Sequence, residues 1–193
     1  MKKPILVLTA LVSLFLAGCP TSNLYPLYTD KDADLDPALV GTWAEKGDSP
    51  KNGNARFEKG SGNSYTMIVS DPTAGATDKY EVHLVRLGGN LFADICFSSR
   101  TRKDAEQYED MPFGMIPLHT IVKILVTGDD LAWSTMEDDP ITKNHATSGP
   151  PLAYLDANGN GVVVTSATDA LRRYVTAHGT DGFSNVVHWQ RVH

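Results

Sequence analysis

The chain lacks most of the side-chain groupings on which chemistry is usually built. Its two cysteines, Cys19 and Cys96, allow one disulfide at most. No Gly-x-Ser-x-Gly elbow, P-loop or nucleotide-binding glycine loop occurs, and the six histidines form no Cys/His cluster and no His-Glu-x-x-His helix. Positive charge is also short: 17 Lys and Arg stand against 23 Asp and Glu, a formal net charge of −6. That balance excludes nucleic acid as an expected partner and gives no pull towards anionic lipid. No internal repeat is visible. No catalytic residues, no metal site and no cofactor are therefore expected, and the chain does not read as an enzyme.

The opening, MKKPILVLTALVSLFLAGC, has two lysines followed by an apolar run from Ile5 to Ala17. It is too short and wrongly flanked for a membrane span and reads as a secretory signal peptide over residues 1–18. Leu16-Ala17-Gly18-Cys19 resembles the lipobox of bacterial lipoproteins. The resemblance implies that Cys19 becomes the first mature residue and carries the lipid, with two or more acyl chains giving stable anchoring. Its implied partner is the membrane and its implied place the bacterial cell envelope. Pro20, rather than Asp, follows the cysteine, which points to the outer membrane, facing the periplasm. Losing Lys2 and Lys3 with the leader moves the formal charge from −6 to −8. With Cys19 lipidated, Cys96 has no intramolecular partner. It lies in the apolar run LFADICF, where a small buried hydrophobe is expected.

Residues 19–37 carry prolines and aspartates and no apolar period, so they read as a lipidated N-terminus and flexible tether. A single domain is expected over 38–193. Its pattern is mostly period two, the mark of half-buried strands. Tyr65, Met67 and Val69 share one face, as do Tyr80, Val82 and Leu84, and Leu91, Ala93, Ile95 and Phe97. Gly88-Gly89-Asn90 and Gly128-Asp129-Asp130 mark tight hairpins. Many short strands and glycine-rich turns predict antiparallel β structure, closed into a barrel that leaves no exposed edges.

Two stretches break the pattern. Residues 98–115 read as a long polar connection, with a short helix in KDAEQYEDM (103–111). Residues 167–178 read as an amphipathic helix, with Leu171, Tyr174, Val175 and His178 on one stripe, Ser166 and Asp169 as a capping box, and Gly179 as the C-terminal cap. The strand at 118–126 is apolar on both faces, Ile121 and Leu125 pointing one way and Val122, Ile124 and Val126 the other. Such a strand needs cover on both sides; the helix supplies the outer one.

Gly41-Thr42-Trp43 opens the first expected barrel strand, and Arg191 sits in the last, HWQRVH. The pair resembles the Gly-x-Trp motif and late basic residue of the lipocalins and their calycin relatives. The resemblance implies a lipocalin-like barrel whose floor is plugged by Trp43 with Arg191 across the indole, worth about 0.5–2 kcal/mol. Tyr65, Met67, Tyr80, Phe97 and Trp133 are then candidates to line a lumen, and an eight-stranded barrel is just wide enough for such side chains to fill it.

Other candidates are weaker. Residues 156–161, DANGNG, start like an EF-hand loop but have Ala167 where the bidentate Glu belongs, so a hairpin turn is expected. His83 and His119 could converge across strands, with polar sheet positions the plainer reading. The pairs Asp129-Asp130 and Asp138-Asp139 fall at turn or helix-start signals, where solvated Asp is ordinary. Two functions stay open: a binding protein for a small hydrophobic ligand held in the lumen, and a filled barrel that contacts another envelope protein through residues 98–115.

Overall fold

Alternation of apolar side chains along each strand decides the architecture, because it gives every strand an inner and an outer face. The computed structural model describes residues 21–29, 31–72, 75–102, 109–110, 116–143, 151–157 and 161–193. In chain order its strands are β1 (Ser22–Asn23), β2 (Gly41–Glu45), β3 (Asn54–Lys59), β4 (Tyr65–Asp71), β5 (Ala76–Leu87), β6 (Asn90–Arg102), β7 (Glu109–Asp110), β8 (His119–Thr127), β9 (Asp130–Met136), β10 (Tyr154–Asp156), β11 (Val162–Val164) and β12 (Phe183–Val192). The helices are α1 (Asp139–Thr142) and α2 (Thr168–His178), and a 3-10 turn covers Pro37–Leu39.

Eight strands make a closed antiparallel barrel in the order β8-β9-β12-β2-β3-β4-β5-β6, and β6 pairs back onto β8 from Leu91 opposite Ile124 to Cys96 opposite His119. The protein is thus mainly β, and its barrel is consistent with the lipocalin-like form expected. The β5–β6 hairpin turns on Gly88 and Gly89, both at positive φ (55° and 80°), the conformation a two-residue turn of this hand needs. A bulge lies in the same hairpin, where Lys79 faces Ser99 but Tyr80 faces Phe97. It keeps Phe97 on Tyr80's face of the sheet.

Two separate apolar cores result. The inner one gathers Trp43, Phe57, Tyr65, Met67, Val82, Leu84, Trp133 and Trp189, among others, inside the barrel. The outer one joins Val85, Phe92 and Ile121 of the barrel wall to Leu171, Tyr174 and Val175 of α2, with Leu27, Leu152 and Val164. As expected, β8 serves both: Ile121 faces outward and Val122 and Ile124 inward, although Leu125 stays 65% exposed beyond the helix's reach.

Helix α2 begins one residue later than expected and is not opened by a capping box. Its N-cap is Ala167, without a side-chain hydrogen bond, because the Ser166 hydroxyl instead accepts from the Ala153 backbone N–H at 2.7 Å. At the other end Gly179 is right-handed rather than left-handed, at φ −61°. Lys123 Nζ donates to the Gly179 carbonyl at 2.7 Å, a positive charge at the negative end of the helix.

The expected tether is the largest correction. Residues 21–29 and 31–36 form a strap laid along the barrel wall. β1 pairs antiparallel with β8 and parallel with β11, and Thr21, Asn23 and Leu27 are buried. Helix α2 clasps the strap as Thr168 Oγ1 donates to the Pro26 carbonyl (2.7 Å) and Arg172 Nη1 to that of Leu27 (2.9 Å). Farther on, the Asp34 N–H donates to the Leu84 carbonyl at 2.7 Å, filling the edge of β5 beyond the end of β4. The polar connection at 98–115 is corrected in part. Residues 98–102 continue β6, and Glu109 and Asp110 pair as β7 with Arg100 and Ser99, which excludes helix at those two positions. The remainder of the expected helix, and residues 111–115, lie outside the described residues. Leu171 is wholly buried beneath the helix. Leu171→Ala is expected to lower unfolding free energy in a urea titration by about 2–5 kcal/mol; an unchanged midpoint would mean that the helix contributes no packing.

Candidate functional site

The floor of the barrel is built by the first and last barrel strands. Arg191 on β12 stands directly opposite Trp43 on β2. Its guanidinium carbon lies 4.3 Å from the indole ring centre. The same guanidinium is spent on three other acceptors: the carbonyls of Val40 (2.7 Å) and Ala38 (2.6 Å), and Asp129 Oδ1 (3.1 Å). Trp43 is fully buried and its indole N–H donates to the Leu39 carbonyl at 2.9 Å. Gly41 is needed here on two counts. Its φ of +145° is closed to most L residues, and a Cβ would stand 2.2 Å from Arg191 Nη1.

Above the floor, the candidate lumen residues divide. Tyr65, Met67 and Trp133 are 2%, 4% and 6% exposed and belong to the inner core. The Tyr65 hydroxyl accepts from the Asp36 N–H at 2.8 Å, tying the strap to the floor. Trp133 packs edge-on against Trp189 with ring centres 5.3 Å apart, a partner the sequence reading missed. Tyr80 and Phe97 lie farther towards the opposite end, where their rings meet edge to face at 5.6 Å. Phe57, Met67, Tyr80 and Phe97 stand opposite one another on successive strands β3 to β6, so one row crosses half the barrel.

A polar group rims that end. Arg100 donates through Nε and Nη2 to both carboxylate oxygens of Asp78, at 2.6 and 2.7 Å. Burial, and then the neighbouring Asp78 charge, push the Tyr80 phenol up to about 12. On α2, burial does the same to Tyr174, also to about 12, reinforced by the charges of Asp181 and Glu137.

A second polar cluster sits on the outer wall beneath the strap. Asp94 is 1% exposed, yet its carboxylate is satisfied by His119 Nδ1 at 2.6 Å and the Leu27 N–H at 2.5 Å. His83 and His119 both approach Tyr28: His83 stacks on its ring at 3.7 Å, and His119 lies tilted at 6.5 Å. His83 Nε2 also meets Glu81 Oε1 at 3.1 Å. Cys96 is beside this cluster, half-buried on the outer face. Burial, then the charges of Asp94 and Glu81, raise its thiol pKa, the opposite of what a nucleophile needs. Among the described residues no group of three or more His, Cys, Asp or Glu side chains is placed to hold a metal ion. The DANGNG segment joins β10 to β11 as a hairpin; residues 158–160 lie outside the described residues. Asp129 follows Gly128 in the β8–β9 turn, and Asp138 precedes α1. Cys19 also lies outside the described residues.

No protein-family model, curated protein or solved structure matches this chain.

Gly41→Ala is expected to destabilise the fold by about 1–3 kcal/mol through backbone strain and displacement of Arg191. The loss should shrink, without vanishing, in an Arg191→Ala background, because the collision goes and the strain stays. Equal losses in both backgrounds would mean that Gly41 and Arg191 are not coupled. Because their folded-state values are raised, Tyr80 and Tyr174 add stability that is complete below their unfolded pKa of about 10 and is lost as pH rises towards 12. An ultraviolet titration should show Tyr80 and Tyr174 ionising only near pH 12, with stability falling between about 10 and 12. Titration of both at about 10 would contradict their burial.

Proposed function

We propose that the protein is an envelope lipoprotein, anchored through Cys19 to the outer membrane on its periplasmic side, whose filled barrel serves as a structural or interaction module. One observation carries the choice of a filled barrel. A side chain lining a water-sized cavity keeps accessible surface, whereas in the inner core Trp43, Val82 and Leu84 have none, Leu131 keeps 1% and Tyr65 2%, and the most open of the buried members, Leu91 and Ile95 at 8%, lie towards the ends of the barrel. The inner side chains complete the core themselves, as expected for eight strands. The contact surface for another envelope protein is then sought at the end opposite the floor, where β6 extends to Arg102 and carries β7.

A second reading has one observation in its favour. The Trp189 indole N–H is buried inside the barrel with no acceptor among the described residues. An unmet buried donor costs about 1–3 kcal/mol. A small hydrophobic ligand bearing one acceptor would relieve it, by displacing Tyr80 and Phe97.

Native mass spectrometry of the domain from residue 20 onward, purified from its own envelope extract, separates the two. A bare mass is expected. A co-purifying apolar mass that denaturation releases would replace the filled barrel with the ligand-binding one. Anchoring is tested by fractionation: the intact chain should sediment with membranes and Cys19→Ser should not, and membrane retention of Cys19→Ser would overturn the lipoprotein reading.

A further inference from the structure

The strap changes what an anchor at Cys19 would do. A lipoprotein tether usually lets its domain float away from the bilayer, over a distance set by linker length. Here the chain is already docked at Thr21, which is 1% exposed and donates its hydroxyl to the Met136 carbonyl at 3.1 Å and to Asp138. From there Ser22 and Asn23 are fixed between β8 and β11. The Leu24 N–H donates to the Val164 carbonyl at 2.8 Å, and the Leu27 N–H to buried Asp94. Only Pro20 separates Thr21 from Cys19. Two residues of chain span at most about 7 Å.

We infer that the barrel lies directly on the headgroup layer of the bilayer that holds Cys19, turned so that the corner formed by Thr21, Met136 and the start of α1 faces the lipid. This rests on the anchoring proposed above and goes beyond it, since an anchored domain on a free tether would have no preferred face. Charge does not make the contact. Asp138 and Asp139 stand at this corner, and the acidic mature chain gains nothing from anionic lipid. Reach makes it: the strap cannot stay docked while the domain drifts away. The opposite wall is β3, half the ring away from β8 in the strand order. It is therefore held away from the lipid.

The test places one fluorophore near the corner and one opposite it. Full-length lipidated protein in a Cys96→Ser background receives Asp139→Cys or Glu58→Cys; both native side chains are well exposed, at 69% and 47%. Each labelled protein is reconstituted in zwitterionic phosphatidylcholine vesicles carrying a headgroup quencher. Quenching is expected to be several-fold stronger at 139 than at 58. Inserting twelve Gly and Ser residues between Pro20 and Thr21 adds about 19 Å of root-mean-square reach and should bring position 139 down to the level of position 58. Equal, weak quenching at both sites in protein that still floats with the vesicles overturns the inference and leaves the anchor intact. Unchanged quenching after the insertion overturns it too, because the contact would then not depend on reach. Protein that fails to float, with Cys19→Ser behaving identically, removes the anchor and the inference together.

Discussion

Closure of the sheet by the β6–β8 ladder is the constraint from which the remaining structure follows. Without it, eight strands would form an open sheet with two bare edges and a single interior face. With it, every inward side chain must share one narrow space, and every apolar side chain on the outer wall needs separate cover. The inner demand is met by large residues such as Trp43, Tyr65 and Trp133 packing across the lumen. The outer demand falls on the wall made by β5, β6 and β8, where Val85, Phe92 and Ile121 point away from the barrel.

Neither the strap nor α2 alone covers that wall. The strap brings Leu27, and the helix brings Leu171, Tyr174 and Val175. They are joined by side-chain bonds from the helix to strap carbonyls, Thr168 to Pro26 and Arg172 to Leu27. Arg172 also pairs with Asp32 of the strap. Burial would raise the Asp32 pKa, but its bonds to Thr29 and the Arg172 charge outweigh that and lower it. Asp94, buried beneath them, survives because His119 and the Leu27 N–H both reach its carboxylate. Its presence selects one position for the strap, since a slide along the wall would leave that carboxylate unpaired.

Much of this was legible because period two survives translation into structure almost unchanged. The inner faces at Tyr65, Met67 and Val69 and at Tyr80, Val82 and Leu84 were readable from alternation alone, and so was the double-faced strand around Ile121. Helix α2 was readable from its stripe. Gly41, Trp43 and Arg191 could be brought together only through a motif, because no local signal links residues so far apart. The strap was missed because its order is tertiary. Leu24-Tyr25-Pro26-Leu27-Tyr28 has no helical or strand period, and a backbone N–H bonded to a distant carboxylate leaves no mark in its own segment. The available signal was Asp94 itself, a charge inside the apolar run LFADICF, which asks what satisfies it. The capping box failed for a related reason: the Ser166 hydroxyl had a competing donor, Ala153, that sequence could not place.

The floor has a temporal consequence. The Arg191 guanidinium binds the carbonyls just ahead of β2, so the first barrel strand is secured by a residue 151 positions after Val40. During synthesis β2 to β6 can pair as successive hairpins, but the ring has no seam to seal until β12 is present. Up to that moment Trp43 has no cation above it and β2 keeps an open edge. The fold is therefore poorly suited to maturing piece by piece and well suited to a chain kept unfolded until β12 is available.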